Sequence, residues 1–387
     1  MPDENSIIDL NNFSDEKDSG NMTGATAPAL RAAQDTGAAA DSRSPDPRAA
    51  APQTSDPRAA DHVFIINPRS FQRKADMDAA IAGIENTLRE FGNINYHIHI
   101  SRYPRDAMGA VNRYARGMLA KRAIRVYAVG GDGILFDCLN AIMGLDGAEL
   151  AIVPYGYENE FVRAFGEGAD ELFRDIKAQL AAASIPTDVI FCDGNYALNY
   201  CTIGLESASI VRRAEHIRRS RRLLNIFKAL YKSIDNSSAF FSALYSNYNQ
   251  RYNILAGGDR LDGAYTTIHI ANGPCYGSTM TPTGDSAPDD GQLELVTGYA
   301  RSSFARAKLL KAIGSGRYRS RRNKGNIDIQ YRRAKELKIS SDGPMIINLD
   351  GEIFYETAIN IRIIPGGTRI IAPNGAKYIP RMDNKQV

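Results

Sequence analysis

Three short loops in this 387-residue chain carry residue types suited to phosphate chemistry. Gly130-Gly131-Asp132-Gly133 joins an apolar run to a helical pattern. Glycines let backbone N–H groups close on phosphate oxygens, and the following helix N-terminus favours an anion. The Asp132 carboxylate suits Mg²⁺ or the orientation of a nucleotide. The same four residues also read as an ordinary tight turn capped by Asp, and they do not form the dinucleotide fingerprint GxGxxG. The second loop is Pro154-Tyr155-Gly156-Tyr157-Glu158-Asn159-Glu160-Phe161, in which Asn159 is expected to cap the next helix. Asn67-Pro68-Arg69-Ser70 is the third. All three fall at the carboxyl ends of predicted strands, where open α/β sheets bind ligands. Their convergence on one edge argues for a site more strongly than any one alone. Two distant acidic turns add candidates. Asp350-Gly351-Glu352 supplies a general base or is simply a hairpin turn of the kind Asp-Gly favours. Asp289-Asp290-Gly291-Gln292 holds a divalent cation through one carboxylate and nearby carbonyls, or is a solvated turn.

The elements that must position these loops are legible as patterns. Val63–Ile66, Ile124–Val129 and Leu150–Val153 are short apolar runs of the buried-strand kind. Ile94, Tyr96, Ile98 and Ile100 alternate as in a strand. Between them, Ala75–Phe91, Arg105–Leu119 and Ile134–Met143 have helical spacing. Further helices are expected around Asn159–Phe165 and Ala169–Ala183. Residues 62–183 thus read β-α-β-α-β-α-β-α, an α/β domain with a parallel, Rossmann-like sheet. From Val189 onward the pattern is of short β runs broken by Gly, Asn and Asp: Val189–Cys192, Tyr196–Ile203, Tyr252–Leu255, Tyr265–Ala271 and Leu293–Thr297. Leu337–Ser340, Met345–Leu349 and Ala358–Ile364 continue it, and the whole reads as an antiparallel β-sandwich. Helical insertions at 207–232 and Phe304–Ile313 interrupt it. The resulting boundaries are a disordered tail over 1–60, the α/β domain over 61–190 and the β domain over 191–365. A C-terminal segment, 366–387, is placed to pack back on the first domain.

Composition excludes several classes. With 43% hydrophobic and 24% charged residues the chain can bury a core. No apolar run is long enough for a membrane span, and Met1–Asn12 is acidic and polar, unlike a secretory signal. The cysteines (Cys138, Cys192, Cys201 and Cys275) are far apart without CxxC, which fits a reducing cytosol and neither a disulfide scaffold nor a zinc site. The net charge of +3 divides into −5 over residues 1–60 and +8 over the rest. Asp46-Pro-Arg-Ala-Ala50 recurs as Asp56-Pro-Arg-Ala-Ala60, low complexity that buries nothing. A basic body suggests an anionic partner. Arg218, Arg219, Arg221 and Arg222 lie among Leu223, Leu224, Ile226 and Phe227, and Arg317, Arg319, Arg321, Arg322 and Lys324 form a second cluster. A basic amphipathic helix reads as a contact with anionic phospholipid or as a solvated helix face. No nucleic-acid-binding module accompanies the charge.

Taken together, these residues resemble the diacylglycerol kinase catalytic-domain family, which includes sphingosine kinases and bacterial YegS-like lipid kinases. The likeness runs in order from about residue 62 to 375. It rests on Ile65-Ile-Asn-Pro-Arg69, Gly130-Gly-Asp-Gly133, Pro154-Tyr-Gly156 through Asn159-Glu-Phe161 with Arg163 and Gly166, and Asn199 to Gly204. It continues with Asn272-Gly273, Tyr276-Gly277, Asp289-Asp-Gly291, Asp350-Gly-Glu352 and Pro365-Gly366. The resemblance implies an ATP- and Mg²⁺-dependent kinase that phosphorylates a lipid hydroxyl at a membrane surface. It would be cytoplasmic and peripherally membrane-associated, with nucleotide on the α/β domain and lipid on the β-sandwich. It further implies Glu352 as proton acceptor, with Asp350 beside it and Asp132 acting with Mg²⁺ at the phosphates. Asn67, Pro68, Arg69, Ser70, Ser101, Gly130, Gly131, Gly133, Ile134, Tyr157 and Asn159 would line the nucleotide path. A structural Mg²⁺ would sit on the Ala287 carbonyl, Asp290 and the Gln292 carbonyl.

This chain also departs from the family pattern. Ile134 replaces the Thr after the glycine loop, and Phe136-Asp137 replaces Asn-Glu. Tyr157-Glu158 stands for Thr-Gly, Glu160 for Asp, and Phe71 for Gly. Tyr157 and Glu158 crowd the nucleotide side and bring negative charge towards phosphates. Two other functions therefore stay open: a regulator of the same fold that binds lipid or nucleotide without turnover, and an NAD kinase-like enzyme. The sequence also leaves open the lipid and a homodimer.

Overall fold

The computed structural model describes residues 56–118, 123–220, 249–276, 280–283, 286–316 and 327–379. The tail over 1–55 lies outside them, as do Arg221, Arg222 and the basic cluster at 317–324. Order begins before the first apolar run. A 3₁₀ turn at Pro57–Ala59, capped by the Asp56 side chain, leads into β1 (Ala60–Ile66). The first half continues as α1 (Lys74–Phe91), β2 (Tyr96–Ile100), α2 (Asp106–Met118), β3 (Ala123–Gly130), α3 (Asp132–Ile142) and β4 (Ala148–Pro154). The strands pair in parallel in the order β2-β1-β3-β4. β1 is buried along its whole length because both faces are covered. Val63 and Ile65 pack with Ala107, Val111 and Leu139 of α2 and α3. Phe64 and Ile66 point the other way, onto Met77, Ile84 and Leu88 of α1. The first half is therefore a sheet between two helix layers, an arrangement that follows the two-residue alternation of the strand.

Two expectations for the helices after β4 are corrected. The segment expected as a helix around Asn159–Phe165 is a 3₁₀ turn, Phe161–Phe165, and Asn159 does not cap it. Asn159 has φ +46°, and its amide donates to the Gly156 carbonyl (3.2 Å). The stretch expected as one helix over Ala169–Ala183 splits at Asp175 into α4 (Ala169–Arg174) and α5 (Ile176–Ala181). The Asp175 carboxylate takes the Ala178 N–H and starts the second helix anew. Arg125, fully buried in β3, pairs with Glu149 of β4 (2.8 Å) and donates to the carbonyls of Leu180 and Ala182. This fixes the end of α5 to the sheet.

The second half is antiparallel. Its strands are β5 (Ser184–Cys192), β6 (Asn195–Ala197), β7 (Tyr200–Gly204), β8 (Gln250–Ala256), β9 (Asp259–Arg260) and β10 (Gly263–Tyr265). They continue with β11 (Thr267–Ala271), β12 (Leu293–Ala300), β13 (Ile327–Ala334), β14 (Glu336–Leu349) and β15 (Glu352–Ile371). α6 (Leu205–Ser220) and α7 (Ser303–Gly314) are its helices among the described residues. The order β13-β12-β11-β7-β14-β15 encloses a separate core that includes Ile203, Ile254, Ile268, Leu295 and Ile347. The single strand expected over Tyr196–Ile203 is two, and the pair expected at Leu337–Ser340 and Met345–Leu349 is one, with a register shift between them. The halves share β15. Its first part pairs with β14, its second with β5, and Ile370 reaches Leu150 of β4 in parallel. This is the expected architecture: an α/β domain with parallel strands followed by a β-sandwich.

Candidate active site

The glycine loop and the second loop are pressed against each other. The Gly130 carbonyl accepts the N–H groups of Tyr155 (2.9 Å) and Gly156 (3.0 Å). A Cβ on Gly156 would lie 2.2 Å from the Gly131 Cα, so position 156 tolerates no side chain against the glycine loop. Gly131 starts α3 without a side-chain cap, which leaves the first N–H groups of that helix for another acceptor. Asp132 does not cap the helix. Its carboxylate takes the Glu160 N–H (2.9 Å) and so links the two loops. Burial pushes its carboxyl up to about 6, with the Glu158 charge adding to the rise. Gly156→Ala should force the loops apart, costing about 1–3 kcal/mol and weakening the binding of any anion held at the start of α3. Urea denaturation and calorimetric titration of the variant measure both, and wild-type affinity would show that the loop contact is dispensable.

Beside the loops lies a cavity of about 240 Å³. Of the residues singled out from sequence, Asn67, Pro68, Arg69, Ser101, Gly133, Ile134 and Glu352 line it. Asn67 is oriented by accepting the Arg69 N–H (3.0 Å), and the Ser101 N–H is held by the Ile66 carbonyl (2.8 Å). Ser70, Gly130, Gly131, Asp132, Tyr157 and Asn159 are not among its lining residues. Tyr157 is 74% exposed, so the side chain expected to crowd the nucleotide points into solvent. The cavity also takes in Arg102, Tyr103, Pro104, Arg105 and Asp137, which sequence reasoning did not place there. Arg105 bridges the Asp137 carboxylate (2.9 Å) and the Glu352 carboxylate (3.0 Å). Burial raises the pKa of Glu352, Arg105 opposes this and Asp137 adds to it. A carboxylate moved towards neutrality is better matched to accepting a proton near pH 7.

Glu352 owes its position to Asp350. Asp350 and Gly351 have φ +46° and +93° and close the two-residue turn between β14 and β15. The Asp350 carboxylate faces away from the turn and accepts the N–H groups of Leu198 (2.7 Å), Asn199 (3.2 Å) and Tyr200 (2.8 Å). That bonding interrupts the strand expected over Tyr196–Ile203. Burial pushes the Asp350 carboxyl up to about 7 in spite of these donors. With its oxygens committed to backbone, Asp350 acts as a positioning residue.

The Asp289–Gln292 turn is occupied by the chain itself. The Ala287 carbonyl accepts the Asp290 N–H (3.3 Å), and one Asp290 oxygen accepts the Gln292 N–H (3.0 Å). The other Asp290 oxygen pairs with Arg333, whose Nε also meets Glu294 (2.9 Å). Asp188 fastens the turn to β15 by accepting the N–H groups of Gly291 (2.5 Å) and Gly366 (2.7 Å). Among the described residues no three His, Cys, Asp or Glu side chains converge as a metal cluster. Ala287, Asp290 and Gln292 as placed do not fit a resident cation, because a guanidinium already supplies the positive charge. EDTA should therefore leave the thermal midpoint unchanged, whereas Arg333→Met should destabilise by about 1–3 kcal/mol. A midpoint that falls with EDTA would restore a metal to this turn.

Arg218 and Arg219 fall within α6, and no helix among the described residues is long and apolar enough to cross a membrane.

Comparison with known proteins bears on the family and the fold. The sequence profile described as "Diacylglycerol kinase catalytic domain" matches residues 61–192, and that described as "YegS C-terminal NAD kinase beta sandwich-like domain" matches residues 217–372. "Putative lipid kinase SAR0780" of Staphylococcus aureus (strain MRSA252) is 25% identical over 304 residues, covering 76% of this chain and 94% of that protein. "Putative lipid kinase SaurJH9_0749" of strain JH9 is 24% identical over the same shares. The crystal structure of "a putative diacylglycerol kinase from Bacillus anthracis str. Sterne" superposes with a TM-score of 0.59 at 21% identity, over 82% of this chain and 96% of that one. A second structure from that organism gives 0.56 at 19% identity, over 82% and 98%. At these identities the superpositions speak for the fold alone, while the two profiles match the α/β half and most of the β half. The chain belongs to the diacylglycerol kinase catalytic-domain family, in its YegS-like lipid kinase branch.

Proposed function

We propose that this protein is an ATP-dependent lipid kinase that transfers the γ-phosphoryl group of ATP to the hydroxyl of a diacylglycerol-like or sphingoid-like lipid. The observation that carries this reading is the single cavity shared by the Asn67–Arg69 loop, the end of the glycine loop and Glu352. Basic and N–H groups for phosphate and a carboxylate of raised proton affinity meet there, and phosphoryl transfer needs positioning and charge neutralisation above all. In the reaction the lipid hydroxyl oxygen attacks the γ-phosphorus as its proton passes to Glu352. The bond from the γ-phosphorus to the β–γ bridging oxygen breaks, and ADP leaves. Mg²⁺ entering with ATP supplies charge neutralisation at the phosphates. Asp132 serves by keeping the two loops together. The basic stretch that begins in α6 with Arg218 and Arg219 would hold the enzyme to anionic phospholipid as a peripheral, cytoplasmic protein.

The test is transfer of label from γ-labelled Mg²⁺-ATP to vesicles containing diacylglycerol, sphingoid base, ceramide and phosphatidylglycerol, with NAD(H) as a separate acceptor. A labelled lipid is expected. Labelled NADP(H) would move the chain to NAD kinase chemistry. No product despite nucleotide and vesicle binding would make it a regulator that binds without turnover.

A further inference from the structure

Arg105 is the most unusual residue of the cleft. Its φ is +66°, in the left-handed region that favours glycine and that a long side chain enters at a cost. The loop that carries it is held on both sides. Ser101 is anchored to β1, the Asp106 carboxylate takes the Arg102 N–H (2.9 Å) and meets His99 (3.0 Å), and the Asp106 N–H reaches the Tyr103 carbonyl (3.2 Å). These contacts present the guanidinium to the cavity, 5.0 Å over the Phe136 ring. From there it bonds Asp137 of α3 and Glu352 of β15, one partner from each half of the molecule. A guanidinium has five N–H donors in a rigid fork. The two carboxylates take one bond each, and the side chain is 41% exposed, so donors remain turned to the cavity. Arg69 and Arg102 line the same space, and of the three only Arg105 is paired with the carboxylates of Asp137 and Glu352.

We propose that Arg105 binds the terminal phosphate of the nucleotide and holds it beside Glu352, making this residue the determinant of triphosphate over diphosphate binding. The inference rests on the kinase reading above, because it places the γ-phosphate next to the proton acceptor. Of the three arginines, Arg105 alone is bonded to Glu352, so it marks the acceptor end of the phosphate path. The backbone conformation fits this role. Glycine would suit the position better, and arginine gains from it only what its side chain reaches.

Calorimetric titration of the full chain with Mg²⁺ and either a non-hydrolysable ATP analogue or ADP tests the assignment. Arg105→Gly should weaken the ATP analogue about tenfold, the loss of a charge-assisted phosphate contact. ADP affinity should change less than about twofold, because the remaining phosphates keep their partners. The thermal midpoint of the variant should stay close to that of the wild type, since glycine relieves the left-handed backbone while Asp137 and Glu352 lose a partner. Arg105→Lys should keep part of the preference for the triphosphate. Equal weakening of both nucleotides, or no weakening of either, overturns the proposal. A wild-type protein that binds the ATP analogue no more tightly than ADP overturns it too, even if lipid is phosphorylated. If both nucleotides bind with the expected preference and no lipid is labelled, the kinase reading fails while the Arg105 assignment stands.

Discussion

Glu352→Gln should lower phosphoryl transfer to lipid by about a hundredfold or more, the usual contribution of a positioned general base, with the fold intact. Gln keeps the shape and can still accept from Arg105, but it cannot take the hydroxyl proton. The loss should therefore appear in turnover and persist at saturating lipid. Steady-state kinetics beside a thermal melt separate the two effects. Turnover within about threefold of wild type would remove Glu352 from the proton-acceptor role, since no base contributes so little. The acid side of the wild-type profile should follow the Glu352 carboxyl. Because burial raises it, activity should decline at a higher pH than for an ordinary glutamate.

The largest effect on stability should come from Asp350. Asp350→Ala strands the N–H groups of Leu198, Asn199 and Tyr200 in a buried place. At the usual penalty for each unsatisfied donor, the cost is on the order of 3–5 kcal/mol. Asp350 also gives stability a pH dependence whose sign can be worked out. Its folded-state carboxyl is raised to about 7, above the value near 4 of an unfolded chain. The folded state therefore binds this proton more tightly, and the contribution is fully present below about pH 4 and lost as the pH rises to about 7. Asp132, raised to about 6, acts in the same direction. Urea midpoints over that interval should fall with rising pH in the wild type, and less steeply in Asp350→Asn. An equal slope in both proteins would show that Asp350 does not titrate there.

Strands buried on both faces were legible as apolar runs, so the carboxyl ends of β1, β3 and β4 could be placed within a residue, and with them the loops that follow, while the starts of β1 and β4 lay two or three residues earlier than read. β13 was not foreseen. Its sequence, Ile-Asp-Ile-Gln-Tyr-Arg-Arg-Ala, lies at the end of the sheet order and is largely half-buried or exposed, so no apolar run marks it. The break between β6 and β7 could not be read locally either, because its cause is a carboxylate about 150 residues away. The same distinction applies to the cleft. Glu352 and the glycine loop carry motifs. Arg105 and Asp137 acquire meaning only when α3 and the end of β15 are brought within reach of one guanidinium. Asn159 looked like a helix cap from composition, yet its backbone is left-handed and its amide turns back to the Gly156 carbonyl. The charge of Asp289–Gln292 suggested a metal, and Arg333, more than forty residues on, already holds it.

The twenty-residue β15 has a consequence for how the protein comes to exist. It is the last strand in chain order among the described residues, and its far end joins β4, a strand made much earlier. Until Ile370 has emerged, β4 is paired only with β3 and β5 only with β6, and Glu352 has no fixed place relative to the glycine loop. A nascent chain therefore cannot fold its two halves one after the other like beads. Any chain ended before this strand should leave the ribosome with an open sheet edge and become a substrate for quality-control proteases, so nearly full-length fragments would accumulate no partial activity.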